Sequence, residues 1–126
     1  MPGGFDAANV VLTQHGDVRN WLVVGMNDEA VLGAVRAMEG RGLGAERVIG
    51  VGIGGRTGVV DFKKEKPTGF FATVLIDPRR HGYETAEMMY KWIADNTEPP
   101  KVTYTTGTLI TRENYAKVMR ERGLLE

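Results

Sequence analysis

The best-placed polar chemistry in this sequence lies at two neighbouring residues, Asn27 and Asp28. An asparagine amide both donates and accepts hydrogen bonds, and a carboxylate accepts them. By itself the pair does not name a ligand. With Met26 between, both follow Trp21-Leu-Val-Val-Gly25, an apolar, β-branched run that breaks at glycine. In an open α/β sheet, the end of such a strand is where ligands bind. Each residue also has a structural use. Asp28 suits the N-cap of the helix that follows, and that is its expected role. Asn27 either contacts a ligand or only shapes the turn.

Other candidates carry less. Gly50-Val-Gly-Ile-Gly-Gly55 matches the spacing of a dinucleotide-binding turn. In such a site the glycines follow the strand and the last one packs a helix near pyrophosphate. Here Gly50 and Gly52 alternate with Val51 and Ile53 inside a strand, where glycine marks close approach of another backbone or a ligand. No acidic strand end follows at the usual distance, so a nucleotide cofactor is not expected. His15 and His81 are the only histidines, and they lack acidic or cysteine partners at ligand spacing, so no metal site is expected. The chain has no serine and no cysteine, which removes the common nucleophilic triads. No catalytic residue is assigned, and the chain is read as a non-enzyme. Lys63-Lys64 and Arg79-Arg80 read as solvated surface.

The elements that must position Asn27 follow from pattern. The chain has 126 residues, 42% hydrophobic and 25% charged, which fits one soluble domain. Sixteen basic residues balance sixteen acidic ones, giving no electrostatic case for nucleic acid or an anionic membrane. No apolar run approaches a membrane span, and no signal segment opens the sequence, so the chain as written is expected to stay in the cytoplasm. Phe5, Ala8, Val11 and Leu12 mark a first helix, and Trp21 to Val24 a buried strand. Val31, Leu32, Val35 and Met38 mark one face of a second helix. Arg47 to Ile53 is the second strand, followed by a short helix from about Thr57 to Lys64. Gly69 to Ile76 is the third strand. Asp77-Pro78 opens a long helix bearing Met88, Met89 and Trp92, which Asn96 and Pro99-Pro100 stop. Lys101 to Ile110 reads as a polar edge strand, and Thr111 is expected to cap a last helix carrying Tyr115, Val118 and Met119. This alternation calls for an α/β fold, a mostly parallel sheet with helices on both faces.

Several stretches, in order over almost the whole chain, resemble the C-terminal lobe of the type I periplasmic sugar-binding proteins, and within them the arabinose-binding branch. They are Pro2-Gly-Gly-Phe-Asp-Ala-Ala-Asn9, Trp21 to Asp28, Val31-Leu-Gly-Ala-Val-Arg-Ala37, Ile49 to Ile53, Thr68-Gly-Phe70, His81-Gly-Tyr83, Glu98-Pro-Pro-Lys101 and Leu109-Ile-Thr-Arg112. The resemblance implies a single α/β domain, residues 1–126, truncated relative to two-lobed members that bind a sugar between lobes and deliver it to an ABC-type importer. It implies a periplasmic location, a monosaccharide ligand such as L-arabinose, and Asn27 as a sugar-binding residue with Met26 beside it. The family's second asparagine falls at Gly54, and its acidic residue near Arg56 and Thr57, so both of those groups are missing here.

The resemblance also implies that the helix from Tyr83 to Ala94 packs on the other lobe. Its face with Met88, Met89 and Trp92 lacks that partner, and self-association of identical chains is expected through it. Two other readings stand beside sugar binding: a ligand-free structural fragment or oligomer, and the effector-binding part of a lactose-repressor-type regulator. The latter needs a helix-turn-helix, and none precedes Phe5.

Overall fold

A computed structural model of the chain describes residues 1–125. The elements are α1 (Pro2–Gln14), β1 (Trp21–Val24), α2 (Asp28–Glu39), β2 (Val48–Gly54), α3 (Val59–Phe62), β3 (Phe70–Leu75), α4 (Pro78–Asp95), β4 (Thr108–Thr111) and α5 (Tyr115–Glu121). The expected alternation is present in full. The chain forms two compact units: Met1–Leu75 with Thr108–Glu126, and Ile76–Gly107.

The first unit holds the sheet, with strand order β1-β2-β3-β4. β1, β2 and β3 are parallel, and β4 joins β3 antiparallel. The sheet is thus mostly parallel, as expected. Its fourth strand is shorter than its sequence suggested: residues 101–107 lie outside it, and pairing starts at Thr108. Pro99, Pro100 and Gly107 flank the irregular stretch, and a run so bounded starts pairing late.

Two right-handed crossovers between neighbouring parallel strands must place α2 and α3 on the same face. The packing agrees. Val31 and Val35 of α2 press on β2, where a Cβ at Gly50 would come within about 3 Å of both. Phe62 of α3 packs against Phe70 of β3 and Tyr115 of α5, each at a ring separation of 5.6 Å. Val35, Leu75 and Ile110 are fully buried at the centre of this core. The opposite side chains of the same strands are open: Leu22, Val24, Ile49, Ile53 and Leu109 are all exposed, Leu22 at 70% and Val24 at 72%. In this unit helix cover therefore lies on one face of the sheet.

α1 starts at Pro2, three residues before the first expected apolar position, because proline at N1 loses no helical hydrogen bond. It lies close on α2, where a Cβ on Gly33 would fall 2.2 Å from the Met1 carbonyl oxygen. An ionic cluster ties α3 to its neighbours. The buried Asp61 carboxylate pairs with Arg36 of α2 and with Lys64 at 2.8 Å, and accepts from the Thr68 hydroxyl at 2.7 Å. Arg112, just beyond β4, donates to the Asp61 carbonyl at 3.3 Å. Burial pushes the Asp61 carboxyl up, but Lys64, Thr68 and Arg36 outweigh it and hold it below the ordinary aspartate range.

Thr111 does not cap the last helix. It ends β4, and its backbone N–H donates to Asn114 Oδ1 at 2.7 Å, which makes Asn114 the residue before α5. In the second unit, Asp77 caps α4 by accepting from the N–H groups of Arg79 and Arg80, both at 3.1 Å. Asn96 ends it in the left-handed conformation, φ 54°. No residue of α4 is buried. No helix among the described residues is long and apolar enough to cross a membrane.

Candidate functional site

The site is built where β1 and β2 end. β1 stops at Val24, Gly25 turns the chain, and α2 begins at Asp28. β2 stops at Gly54, and residues 55–58 lead into α3. Both strand ends lie on the carboxyl edge of the parallel part of the sheet, so the two loops share one edge.

Asn27 is the N-cap of α2. Its backbone is extended, φ −151° and ψ 162°, and its Oδ1 accepts from the Ala30 N–H at 2.8 Å. The expected cap was Asp28, and the cap falls one residue earlier. Of the two roles that the sequence position of Asn27 offered, the structural one is seen at this helix start. Its oxygen closes the helix, while its Nδ2 donates to no described residue, and the side chain is exposed. Met26 beside it is 89% exposed.

Asp28 does something the sequence did not disclose. It is 2% exposed, and its carboxylate accepts three hydrogen bonds. Oδ2 takes the Gly55 and Gly58 N–H groups, both at 2.9 Å, and Oδ1 takes the Thr73 hydroxyl at 2.6 Å. One side chain thereby fixes the end of β1, the loop after β2 and the middle of β3. A buried carboxylate is tolerated only with such a full set of donors. No buried side-chain nitrogen or oxygen among the described residues lacks a partner.

The glycine run is explained by this packing. A Cβ at Gly52 would fall 2.6 Å from Asp28 Oδ1, so the strand must be bare for α2 to approach. Gly54 has φ 129°, a backbone that side chains strain to adopt. Neither needs a nucleotide. Beyond them, Glu29 in the first turn of α2 reaches the loop after β2. Its Oε1 accepts from the Thr57 hydroxyl at 2.6 Å. That bond, and one from Glu29's own N–H, outweigh partial burial and hold its carboxyl below the ordinary glutamate range. The Glu29–Thr57 contact was not expected from sequence, since residues 28 apart show no local signal, and Thr57 entered only as the place where the family's acidic residue is missing.

His15 and His81 fall in different compact units, in α1's C-cap and in α4. Among the described residues no three His, Asp or Glu side chains are grouped to hold a metal ion. A cleft of about 350 Å³ runs between α1, β1 and α2, lined by Ala7, Val11, Trp21, Val24 and Ala34, and its lining is mainly apolar.

Comparison with known proteins supplies the family. The chain is 49% identical over 125 residues to the L-arabinose-binding periplasmic protein of Escherichia coli (strain K12), covering 98% of this chain and 38% of that protein. It is 43% identical over 123 residues to the ABC transporter L-arabinose-binding periplasmic protein of Azospirillum brasilense, covering 97% of this chain and 37% of that one. The chain thus spans well under half the length of these curated relatives. A crystal structure of a galactofuranose binding protein superposes with a TM-score of 0.77 at 21% identity, over 97% of this chain and 41% of that one, which shows a shared fold. The family described as periplasmic binding proteins and sugar binding domain of the LacI family matches residues 1–117. By its sheet and this match over most of its length, the chain belongs to the periplasmic binding protein and LacI sugar-binding-domain family.

Proposed function

We propose that this chain carries one side of a monosaccharide site, in the solute-binding component of an ABC-type sugar importer working in the periplasm, and that its ligand is an aldose of the L-arabinose kind. The observation that carries this reading is the state of Asn27. Its oxygen is committed to the helix cap, which orients the side chain, while Nδ2 is left free to donate on the exposed strand edge. An amide N–H held this way is suited to a sugar hydroxyl. Its setting is a sequence about half identical to two proteins named for arabinose binding. Met26, exposed beside it, offers an apolar surface for the ring face.

A site of this kind encloses most of its ligand when complete, so the affinity of one side is low. The test is a thermal-shift panel with L-arabinose, D-galactose and D-fucose, and NAD and ATP as controls. A ligand at about 100 times its Kd adds about 2.7 kcal/mol, which moves the midpoint of a domain this size by several degrees. Asn27→Asp is the informative variant. Aspartate caps a helix as well as asparagine does but has no N–H to donate. A sugar-specific shift lost in Asn27→Asp, with the unliganded midpoint kept, supports the reading. A shift from NAD or ATP alone, or none from any sugar, refutes it.

The same reading assigns the apolar residues of α4 to an interface. Met89, Trp92 and Ile93 are exposed along that helix. We propose that in the chain by itself a second copy covers them. Light scattering should then give twice the monomer mass, and Trp92→Glu should restore the monomer.

A further inference from the structure

A hollow of about 280 Å³ opens at the amino end of β1, where α1 stops and where the chain leaves α2. Leu12 and Leu43, both buried, and Val18 give it an apolar wall. Its polar lining is basic. His15 ends α1, Arg19 precedes β1 and Arg41 follows α2, and no carboxylate stands among the lining residues. Helix capping does not account for these three side chains. The carbonyls of Arg36, Met38 and Glu39 at the end of α2 already accept the backbone N–H groups of residues 40–43, and α1 closes through the His15 N–H on Val11 at 3.0 Å. Arg41 instead reaches back to α1, where its Nη2 donates to the Thr13 hydroxyl at 2.7 Å and to the Asn9 carbonyl at 3.3 Å. Both acceptors are neutral. The two bonds orient the guanidinium and leave its Nη1 and Nε donors unused. None of the three basic side chains enters an ion pair among the described residues.

We propose that this hollow binds a small organic anion through its carboxylate or phosphate group. Planar guanidinium forks match the paired oxygens of either group, and the imidazole of His15 adds an N–H in both of its neutral tautomers. Arg41, already held by α1, supplies the fixed donor, and Arg19 and His15 close on the anion from the neighbouring loop. The apolar wall takes the body of the ligand. Convergence is what makes this a site. At about 0.15 M salt, exposed charges are screened beyond about 8 Å, so scattered arginines hold no anion at one place. The proposal is independent of the sugar reading, because Asn27 stands beyond the opposite end of β1.

The experiment is a nuclear magnetic resonance titration of the full ¹⁵N-labelled chain in about 0.15 M sodium chloride, at which general ionic attraction is screened. The probes are benzoate, inorganic phosphate and benzyl alcohol, the last having an apolar body without charge. Benzoate or phosphate should move the amide signals of residues 15–19 and 41–43 along one saturating curve, and whichever saturates at lower concentration names the preferred group. Benzyl alcohol should leave these signals in place. The variants are Arg19→Gln and Arg41→Gln, both at exposed positions, with Lys117→Gln as the control for losing one surface charge. The unliganded melting midpoint of each checks its fold, and Arg19→Gln carries the test if Arg41→Gln loosens α1. Each arginine variant should raise the Kd of the better anion about tenfold, and the control should leave it unchanged. Shifts that stay linear for both anions, benzyl alcohol binding as well as benzoate, or a Kd in Arg19→Gln equal to that of the control overturns the proposal.

Discussion

The clearest prediction concerns Asp28, because its three hydrogen bonds differ in kind. Replacing it with alanine leaves the Gly55 and Gly58 N–H groups and the Thr73 hydroxyl buried without an acceptor. Bonds to a charged group contribute about 1.5–3 kcal/mol each, but ionised Asp28 also carries a desolvation cost that alanine removes. Each buried donor left without an acceptor costs about 1–3 kcal/mol, and with that offset the net loss for Asp28→Ala is about 3–5 kcal/mol. Asp28→Asn should behave differently. Two of the three donors are fixed backbone N–H groups on Oδ2, and the amide oxygen can keep both. The third is a hydroxyl, which can rotate and accept from the new Nδ2 instead. Asparagine thus loses charge assistance but no partner, and should cost about 1–2 kcal/mol. The assay is urea unfolding followed by circular dichroism. With a slope of about 1–3 kcal/mol per molar, Asp28→Ala moves the midpoint by at least about 1 M and Asp28→Asn by clearly less. Thr73→Val should fall between them. If asparagine damages the protein as much as alanine, the distinction between fixed and rotatable donors fails. If alanine costs under about 1 kcal/mol, Asp28 does not hold the loops together.

Three further outcomes follow from the packing. The Asp61 carboxyl is held below its ordinary range, so its contribution is present above the unfolded carboxyl's pKa of about 3.9 and is lost as pH falls through the lower folded value; acid titration of the urea midpoint should show a limb below about pH 4 that flattens in Asp61→Asn. Gly54→Asn, which restores an amide at that strand end, places a side chain at φ 129° and should cost about 1–3 kcal/mol, read as a lower melting midpoint; an unchanged midpoint would show that the loop relaxes. Leu75→Ala removes a fully buried side chain beneath Gly55 and should cost about 2–5 kcal/mol by chemical denaturation, against under 1 kcal/mol for alanine at exposed Val60.

Most of the architecture was legible from residue pattern, and the reasons are local. The β-branched runs at β1, β2 and β3 end at glycine or at Asp77-Pro78, and α2 shows its buried face in Val31, Leu32, Val35 and Met38. Boundaries slipped where two residues could do one job. Asn27 and Asp28 both suit a cap, and the choice depends on Thr73 and the residue 55–58 loop, which reserve Asp28 for the interior. Thr111 alone was the expected cap of the last helix, and the end of β4 holds it back, with Asn114 standing before α5. The Glu29–Thr57 contact and the Arg36–Asp61 pair join residues more than two dozen positions apart, and no periodicity reports such partners. Of the candidate site, the strand end and Asn27 were legible as expectations, while the division of that amide into a bound oxygen and a free nitrogen needed the folded backbone.

The one-sided sheet has a consequence for how such a chain is made. β1 is an edge strand, and Leu22 and Val24 stand open on it beside Ile49 and Ile53 of β2. An edge with free backbone groups and an adjoining oily surface is a template on which another extended segment can add. On a ribosome or in a concentrated refolding mixture, whichever strand arrives first takes that place, and a neighbouring nascent chain competes with any covering segment. Yield of native material should therefore fall steeply with protein concentration, and a holdase chaperone or one charge at Leu22 should recover it.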